Sequence, residues 1–261
     1  MNLSDQLTLS IVSHGHGHLL ENLVGQLDAN PKLKGVRLVV TLNQYEESFS
    51  FEGKTTSNLQ LSIIRNPAPL GFGANHNQAF KRCETAWYAI LNPDLSLTVD
   101  VFTPMIDAAI KRGASLTVPR VVNGSGVVED SVRWNLTPWA LMKRWLGIPG
   151  EPNLNDGRFR WFAGMFYLIE SSVYRELGGF DEKYFLYCED YDICARIYLA
   201  GYPVLFQPNV SVIHDARRTS WKSRKYLFMH MKSILRVWSS TPVWRIAFQN
   251  MIRPRRVEGA R

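Results

Sequence analysis

The chain has 261 residues, of which 46% are apolar and 20% charged, a composition typical of folded proteins that excludes a disordered chain. No apolar run approaches the ~20 residues that cross a bilayer, and the first residues lack a basic segment followed by an apolar one, so we expect a cytoplasmic protein. The net charge of +7 is concentrated after residue 215, where 12 Lys and Arg accompany a single acidic residue, Glu258.

Short apolar runs bounded by turn residues predict four buried strands in the first hundred residues. These runs cover residues 7–13, 36–42, 59–64 and 86–91. A stripe of leucine and valine from Leu19 to Leu27 predicts a helix after the first run, and residues 74–83 predict another before the fourth. Strands alternating with helices predict an α/β fold with a mostly parallel central sheet.

Histidine and glycine alternate where the first predicted strand ends, in His14-Gly15-His16-Gly17-His18. Imidazoles at this spacing suit a transition-metal site. The glycines equally suit a turn into the following helix. We favour the turn, with His14 facing a ligand and His16 and His18 exposed.

A glycine-rich segment, residues 69–77, precedes the second predicted helix. A helix that begins there would direct backbone N–H groups at an anion. The alternative is a helix-capping turn, because the segment lacks the lysine and the Ser or Thr of a P-loop.

Asn92-Pro93-Asp94 follows the fourth predicted strand. Open α/β sheets bind ligands at the carboxyl ends of their strands, so Asp94 is placed to hold a divalent cation through oxygen. A purely structural turn is the alternative.

The second half continues the pattern less regularly. We predict a helix over 101–110, strands over 115–122 and 161–169, a helix over 190–199, and a strand over 202–213 that closes on His214. Between them, residues 123–160 carry many glycines and prolines together with Trp134, Trp139 and Trp145. Long loops of this kind tend to be functional, so we predict a mobile binding loop.

Four carboxylates, Asp181, Glu189, Asp190 and Asp192, lie among five aromatic residues between Gly178 and Asp192. Aromatic surroundings remove water from an acid and raise its pKa, which is how carboxylates become general bases near neutral pH. This segment is therefore our strongest candidate for a catalytic site.

The segments named so far occur in an order that resembles inverting family-2 glycosyltransferases with the GT-A fold. The closest resemblance is to the bacterial rhamnosyltransferases that use TDP-rhamnose in O-antigen or related cell-surface glycan assembly. It covers about Leu7 to Trp238 and rests on SIVSHGHGH, LGFGANHNQA, LNPD, WFAGMFYLI, GGFDEKYFLYCEDYDICARIYLAG and VIHDARRTS. It implies a Rossmann-like GT-A sheet flanked by helices, with a donor half (1–100) and an acceptor half (101–215).

The resemblance also implies roles for individual residues on the donor side. The donor pocket would be formed by Ser13, His14, Gly15, Asn43, Arg65, Gly71, Gly73, Asn75 and Asn92. Many relatives have an acid and Asn-Gly-Ser after the second strand, where this chain has Thr41 to Gln44. We therefore expect Thr41, Asn43 or backbone groups to recognise the base.

The remaining roles concern the metal, the acceptor and the reaction. Asp94 and His214 would bind Mg²⁺ or Mn²⁺, and Arg217 or Arg218 would pair with the diphosphate of the donor. The acceptor side would comprise Trp161, Ala163, Gly164 and Glu189. Asp190 would be the catalytic base, with Glu189 orienting it or the acceptor.

Residues 216–261 form a basic extension in which apolar residues recur at helical spacing. We expect it to bind an anionic membrane surface, where a polyprenyl-diphosphate-linked acceptor would be found, and to place the protein on the inner face of the cell membrane. The alternative is that its first helix packs on the enzyme's own core. No nucleic-acid motif accompanies the charge, so we expect no nucleic-acid partner.

Two alternatives to a TDP-rhamnose donor remain open from the sequence. One is a UDP-hexose donor on the same scaffold, as in a galactosyl or glucosyl transferase. The other is a catalytically silent scaffold for glycan assembly, which has no chemical need for Asp94, Asp190 and His214 together.

Overall fold

A mixed eight-stranded sheet forms the centre of the computed structural model, which describes residues 2–97, 99–147, 158–214 and 224–252. The strands in chain order are β1 (Leu7–Ser13), β2 (Arg37–Leu42), β3 (Gln60–Arg65), β4 (Trp87–Leu91), β5 (Leu95–Ser96), β6 (Leu116–Val122), β7 (Val132–Arg133), β8 (Trp161–Phe162), β9 (Phe166–Glu170) and β10 (Val204–His214). The central sheet has the order β3-β2-β1-β4-β9-β6-β10-β5, and β7 pairs with β8 in a separate small sheet.

The predicted parallel arrangement holds for β3, β2, β1 and β4, and again for β6 and β10. Strand β9 runs antiparallel to both of its neighbours, and β5 runs antiparallel to β10. Helical crossovers join β1 to β2 and β3 to β4, which explains why the strand–helix alternation was readable there, whereas residues 43–59 join β2 to β3 without a helix.

Eight α-helices accompany the sheets in the described part of the chain. They are α1 (His18–Asp28), α2 (Phe72–Phe80), α3 (Phe102–Arg112), α4 (Pro138–Trp145), α5 (Ser171–Glu176), α6 (Glu189–Leu199), α7 (Arg224–Ser239) and α8 (Thr241–Ile252). Every helix predicted from apolar spacing is present, with ends shifted by a few residues.

The core lies on both faces of the sheet because successive side chains of a strand point to opposite sides. Strand β4 shows this directly: Ala89 and Leu91 join the cluster that contains α1 and α3, whereas Tyr88 and Ile90 join the cluster that contains α6 and α8. Two-sided burial accounts for the nearly continuous apolar runs in the sequence.

The segment predicted as a loop, residues 123–160, contains β7 and α4, and residues 148–157 lie outside the described residues. The run predicted as one strand over 161–169 is two strands, β8 and β9, separated by a turn in which the Met165 N–H donates to the Ala163 carbonyl at 2.8 Å. A run of apolar residues does not reveal a break when both halves are buried.

Helices α7 and α8 pack on the body of the protein through Val237, Val243 and Ile246, which are fully buried. Asn135 connects α8 to α6. Its side-chain amide donates to the Val243 carbonyl of α8 at 3.0 Å and accepts from the Tyr191 hydroxyl of α6 at 2.6 Å. Among the described helices, none has the length and apolar character needed to cross a membrane.

Candidate active site

A cavity of about 530 Å³ opens at the carboxyl ends of β1 and β4. Its volume lies within the range of sites that hold small molecules and cofactors. Three of the acids emphasised in the sequence, Asp94, Glu189 and Asp190, line this one cavity although nearly a hundred positions separate them in the chain. The position of Asp94, in the turn between β4 and β5, brings this about.

His214 lies directly behind Asp94, at the end of β10. Its Nε2 is 3.3 Å from Asp94 Oδ2, and its Nδ1 is 2.8 Å from Glu129 Oε2. Burial alone would lower the pKa of His214, but hydrogen bonds and charges from Asp94 and Glu129 raise it above its ordinary value. His214 is therefore held between two carboxylates.

This arrangement fits the expected divalent cation. Asp94 Oδ1 is buried without a hydrogen-bond partner in the described structure, so it has a lone pair to offer. A carboxylate on the other nitrogen is the usual support of a metal-binding histidine, which is the position of Glu129. The described residues contain no group of three or more His, Cys, Asp and Glu able to hold a metal. Asp94 and His214 would thus supply two ligands, with donor oxygens and water completing the shell.

The Glu189–Asp190 pair, expected from the sequence to be catalytic, lies at the start of helix α6. Asp190 Oδ1 accepts the Tyr191 N–H at 2.8 Å, and Oδ2 accepts the Gly164 N–H at 3.3 Å. An added Cβ at Gly164 would lie 3.3 Å from the Asp190 Cβ, tighter than an ordinary contact. Gly164 therefore lets the backbone approach the carboxylate closely enough to hold it.

Glu189 and Asp190 share this buried site unequally. Burial, and then the negative charge of Asp190, raises the pKa of Glu189 well above its ordinary range. Burial also raises the pKa of Asp190, but the charge of Arg133 and the N–H groups of Tyr191 and Gly164 oppose the rise. The pKa values of both acids are therefore raised, and the contacts that favour the charged form are made to Asp190.

The residues before the pair are conformationally strained. Tyr187 and Cys188 have φ values of 70° and 66°, and they are the non-glycine residues with positive φ in the described chain. This left-handed conformation costs about 1–2 kcal/mol per residue for L-amino acids. Strain of this kind persists where the surroundings enforce it, often at functional sites.

His14, Asn43 and Asn75, three of the residues expected to bind the donor, line the cavity. Asn43 donates to the Leu70 carbonyl at 2.9 Å and accepts the Leu70 N–H at 2.8 Å. A buried amide, that of Asn66, bridges the Oδ1 atoms of Asn43 and Asn75. The amides of Asn43 and Asn75 thus fix the loop that forms the cavity wall. Thr41 is fully buried, and its hydroxyl has no partner among the described residues.

The histidine–glycine turn is held by a carboxylate that the sequence did not single out. Glu47 accepts the Ser13 hydroxyl and, at 3.0 Å, the Gly15 N–H. His16 was expected to be exposed, but it is half-buried and lines the cavity. Its Nδ1 accepts the His14 N–H at 2.9 Å, which folds the ring back over the turn. The position of Glu47 in the segment after β2 gave no signal of this contact.

Arg65 lies at the end of β3 and contacts the same segment. Its guanidinium donates to the carbonyls of Tyr45 and Glu47 at 2.6 and 2.9 Å and pairs with Glu52 at 2.6 Å. Arg65 therefore fixes the loop that carries Glu47 and is not among the residues that line the cavity.

Gly71 and Gly73 lie against the catalytic segment. A Cβ at Gly71 would be 2.9 Å from the Phe185 Cα, and one at Gly73 would be 2.5 Å from the Phe180 Cβ. The Phe72 N–H donates to the Phe185 carbonyl at 2.9 Å. The first backbone N–H of helix α2 is therefore already hydrogen-bonded within the protein. The geometry favours a capping and packing role for the glycine-rich segment over an anion site.

Ala163, Gly164 and Asn92 line the cavity as expected, whereas Trp161 lies behind it. The Trp161 indole donates to the Trp134 carbonyl at 2.6 Å and carries the Arg133 guanidinium 5.0 Å above its ring. The charge of Arg133 in turn opposes the rise in the pKa of Asp190. Arg217 and Arg218 lie outside the described residues.

Sequence reasoning missed several residues of the site. Glu47, Glu129 and Arg133 act through residues that touch the cavity, and Tyr226 and Met229 of α7 line it directly. No local pattern marks these positions, because each is brought in by a long-range contact.

A protein-family model described as glycosyltransferase like family 2 matches residues 6–231. Rhamnosyltransferase WbbL of Escherichia coli (strain K12) is 29% identical over 243 residues, covering 87% of this chain and 90% of the relative. An N-acetylglucosaminyl-diphospho-decaprenol L-rhamnosyltransferase of Mycobacterium tuberculosis is 25% identical over 270 residues, covering 88% and 83%.

Two solved structures share the fold. GalNAc-T7 with UDP, GalNAc and Mn²⁺ superposes with a TM-score of 0.59 at 17% identity, over 82% of this chain and 44% of that one. S. aureus TarS 1–349 superposes with a TM-score of 0.59 at 12% identity, over 89% and 65%. At these identities the likeness shows the fold alone. Because the family model matches most of the chain, the protein belongs to the glycosyltransferase like family 2, and its curled mixed sheet is the GT-A fold expected from the sequence.

Proposed function

We propose that the protein transfers L-rhamnose from TDP-rhamnose to a lipid-linked glycan acceptor, with inversion at the anomeric carbon. The observation that carries the proposal is the meeting of Asp94, Glu189 and Asp190 in one cavity that has donor-side groups at its other end. The two rhamnosyltransferases similar over most of the chain support the choice of sugar. They favour it over a UDP-hexose, and the second relative's name supports a polyprenyl-diphosphate-linked acceptor.

In the proposed reaction, the Asp190 carboxylate takes the proton of the acceptor hydroxyl. The hydroxyl oxygen attacks the anomeric carbon from the face opposite the diphosphate, and the bond from that carbon to the phosphate oxygen breaks, releasing TDP. Glu189 retains its own proton, which keeps the charge of the pair on the base.

Asp94 and His214 would hold Mg²⁺ or Mn²⁺ beside the diphosphate. When bound, the cation supplies positive charge to the phosphate oxygen from which the sugar departs. Glu129 fixes the His214 ring so that Nε2 faces Asp94.

Membrane association is part of the proposal. Helices α7 and α8 expose Leu227, Phe228, Met231, Leu235, Phe248 and Met251, which we call the outer face. Arg224, Lys232 and Arg245 are exposed on the same helices. Apolar insertion combined with attraction to anionic lipids would hold the protein on the inner face of the cell membrane. The donor half (1–100) and the acceptor half (101–215) would both face the cavity, with α7 and α8 of the 216–261 extension beside them.

The role of Asp190 is tested by Asp190→Asn, which keeps the shape of the side chain and removes the base. We expect rhamnosyl transfer to fall by roughly 10² or more, because a positioned base contributes about that much. Binding of TDP-rhamnose, measured by calorimetry, should be retained. Transfer at the wild-type rate would exclude Asp190 as the base.

The cation site is tested by Asp94→Ala, with exposed Asp107→Ala on α3 as the matched control. Calorimetry of TDP binding with and without Mn²⁺ measures how far the metal strengthens binding. We expect that strengthening to disappear in Asp94→Ala and to remain in Asp107→Ala. Its survival in both variants would place the cation elsewhere.

A further inference from the structure

The turn that presents the catalytic pair is fixed from two sides. It ends in the left-handed residues Tyr187 and Cys188, directly before Glu189. Its two preceding carbonyls point to different helices: Phe185 accepts the Phe72 N–H of α2, and Leu186 accepts the Ser233 hydroxyl of α7, each at 2.9 Å. A strained turn needs such external constraints to persist.

The contact with α7 extends beyond one hydrogen bond. The His230 ring lies 5.0 Å from that of Tyr187, and the Arg236 guanidinium lies 5.7 Å from the ring of Tyr184. Ser233 stands between them on the helix and is only 6% exposed. The side of α7 that carries His230, Ser233 and Arg236 therefore contacts the segment before Glu189, while the outer face of the helix is exposed.

The position of the base depends on this turn. Asp190 keeps its contact with the Gly164 N–H only if α6 begins where the turn now places it. Without the Ser233 hydroxyl, Leu186 loses one of the two constraints, and the left-handed residues can relax toward ordinary φ values. Small displacements of catalytic groups cost large factors in rate.

We propose that Ser233 is a positioning residue for the Glu189–Asp190 pair, acting through the Leu186 carbonyl, so that α7 belongs to the catalytic machinery as well as to the membrane-facing extension. The expected change in kcat rests on the proposed transfer reaction, whereas the expected loosening of the turn does not.

The test compares Ser233→Ala with Ser233→Thr, which keeps a hydroxyl, and with Ser239→Ala. Ser239 lies on the same helix, is exposed, and its hydroxyl donates to the Arg236 carbonyl within that helix. For Ser233→Ala we expect kcat to fall about tenfold or more while the Kd for TDP stays unchanged, because a misplaced base slows the chemical step and not donor binding. The acidic limb of the kcat–pH profile should move to higher pH as Asp190 loses an N–H donor.

Ser233→Thr should recover part of the lost kcat, and Ser239→Ala should behave as wild type. The proposal is overturned if Ser233→Ala keeps the wild-type kcat and pH profile. It is also overturned if Ser233→Ala and Ser239→Ala lose activity equally. The same holds if Ser233→Ala lowers TDP affinity, kcat and thermal stability together.

A second measurement needs no substrate. Amide hydrogen exchange across residues 186–192 should accelerate in Ser233→Ala and not in Ser239→Ala, because the loosened turn exposes the Tyr191 N–H. If exchange is faster in Ser233→Ala but the wild-type protein does not transfer rhamnose, the proposed sugar is rejected and the positioning role of Ser233 is kept. Unchanged exchange would reject the positioning role whatever the substrate.

Discussion

Glu189 and Asp190 are adjacent acids with different surroundings, and the difference supports the different roles proposed for them. Asp190 receives two backbone N–H groups, whereas Glu189 Oε2 is buried without a partner in the described structure. An unpartnered buried oxygen stabilises the neutral acid, because ionisation there has nothing to replace water. The contacts therefore favour the neutral form of Glu189 and the charged form of Asp190, as the proposed roles of base and protonated neighbour require.

The buried Glu189 should reduce stability at neutral pH. Below its ordinary pKa of 4.5, Glu189 is protonated in both the folded and the unfolded chain. Above 4.5 the unfolded chain ionises first, so stability is lost as the pH rises toward the raised pKa of the folded state, by about 1.4 kcal/mol per pH unit at most. Glu189→Gln removes this loss. We expect its gain in unfolding free energy over wild type to grow between pH 5 and pH 7 in urea titrations.

Exposed Glu46→Gln is the matched control for this experiment, because it makes the same substitution at a site open to solvent. A difference for Glu189→Gln that does not change with pH would mean that Glu189 is ionised in the folded protein.

Helix α8 illustrates how an element with a membrane-like sequence can also be structural. Its buried residues Val243 and Ile246 belong to the same apolar cluster as α6, while Phe248 and Ile252 are exposed. Together with the Asn135 bridge between α6 and α8, this makes the helix a support for the element that begins with the catalytic pair.

Ile246→Ala should therefore destabilise the protein by about 2–5 kcal/mol, the usual cost of removing a buried isoleucine side chain down to alanine. Ile252→Ala on the same helix is 61% exposed and should change the unfolding free energy by less than about 0.5 kcal/mol. Urea denaturation measures both. Equal, small effects would show that α8 does not pack on the core in solution.

The whole molecule combines a cavity with an amphipathic flank. Helix α7 contributes Tyr226 and Met229 to the cavity and exposes Met231 and Leu235 on its other side. Nearby, the start of α4 is tied to α7 by the Trp238 indole, which donates to the Leu136 carbonyl at 2.8 Å. Helix α4 exposes Trp139 and Trp145, the latter by 86%. Tryptophan prefers the membrane interface, so α4 would extend the surface offered to lipid.

We expect the triple variant Met231→Ser, Leu235→Ser, Phe248→Ser to bind anionic vesicles at least tenfold more weakly than wild type, because it removes apolar side chains available for insertion. Ile110→Ser, exposed on α3, is the control for a general loss of surface hydrophobicity. Co-sedimentation at low and high salt separates apolar insertion from charge attraction. Undiminished binding of the triple variant would exclude the outer face as the membrane contact.

Prediction from sequence succeeded where the signal is local. The strands β1 to β4 have apolar runs that end within a residue or two of the observed ends. Asp94, Glu189 and Asp190 belong to short recognisable segments and line one cavity, and their roles stay predictions. It failed for the 123–160 region, where a two-residue strand and a short helix leave no readable period. It also failed for His16, whose burial depends on how the turn folds back.

The sequence by itself determined the order of the main strands and helices from β1 to α3 and the family to which the chain belongs, because hydrophobic periodicity and motif order are properties of neighbouring residues. Only the tertiary structure decided that Glu129 holds His214, that Glu47 holds the histidine–glycine turn, and that Ser233 of α7 reaches the catalytic turn. Each of these contacts joins residues at least 32 positions apart. Such pairs are selected by chain packing, and no local pattern encodes them.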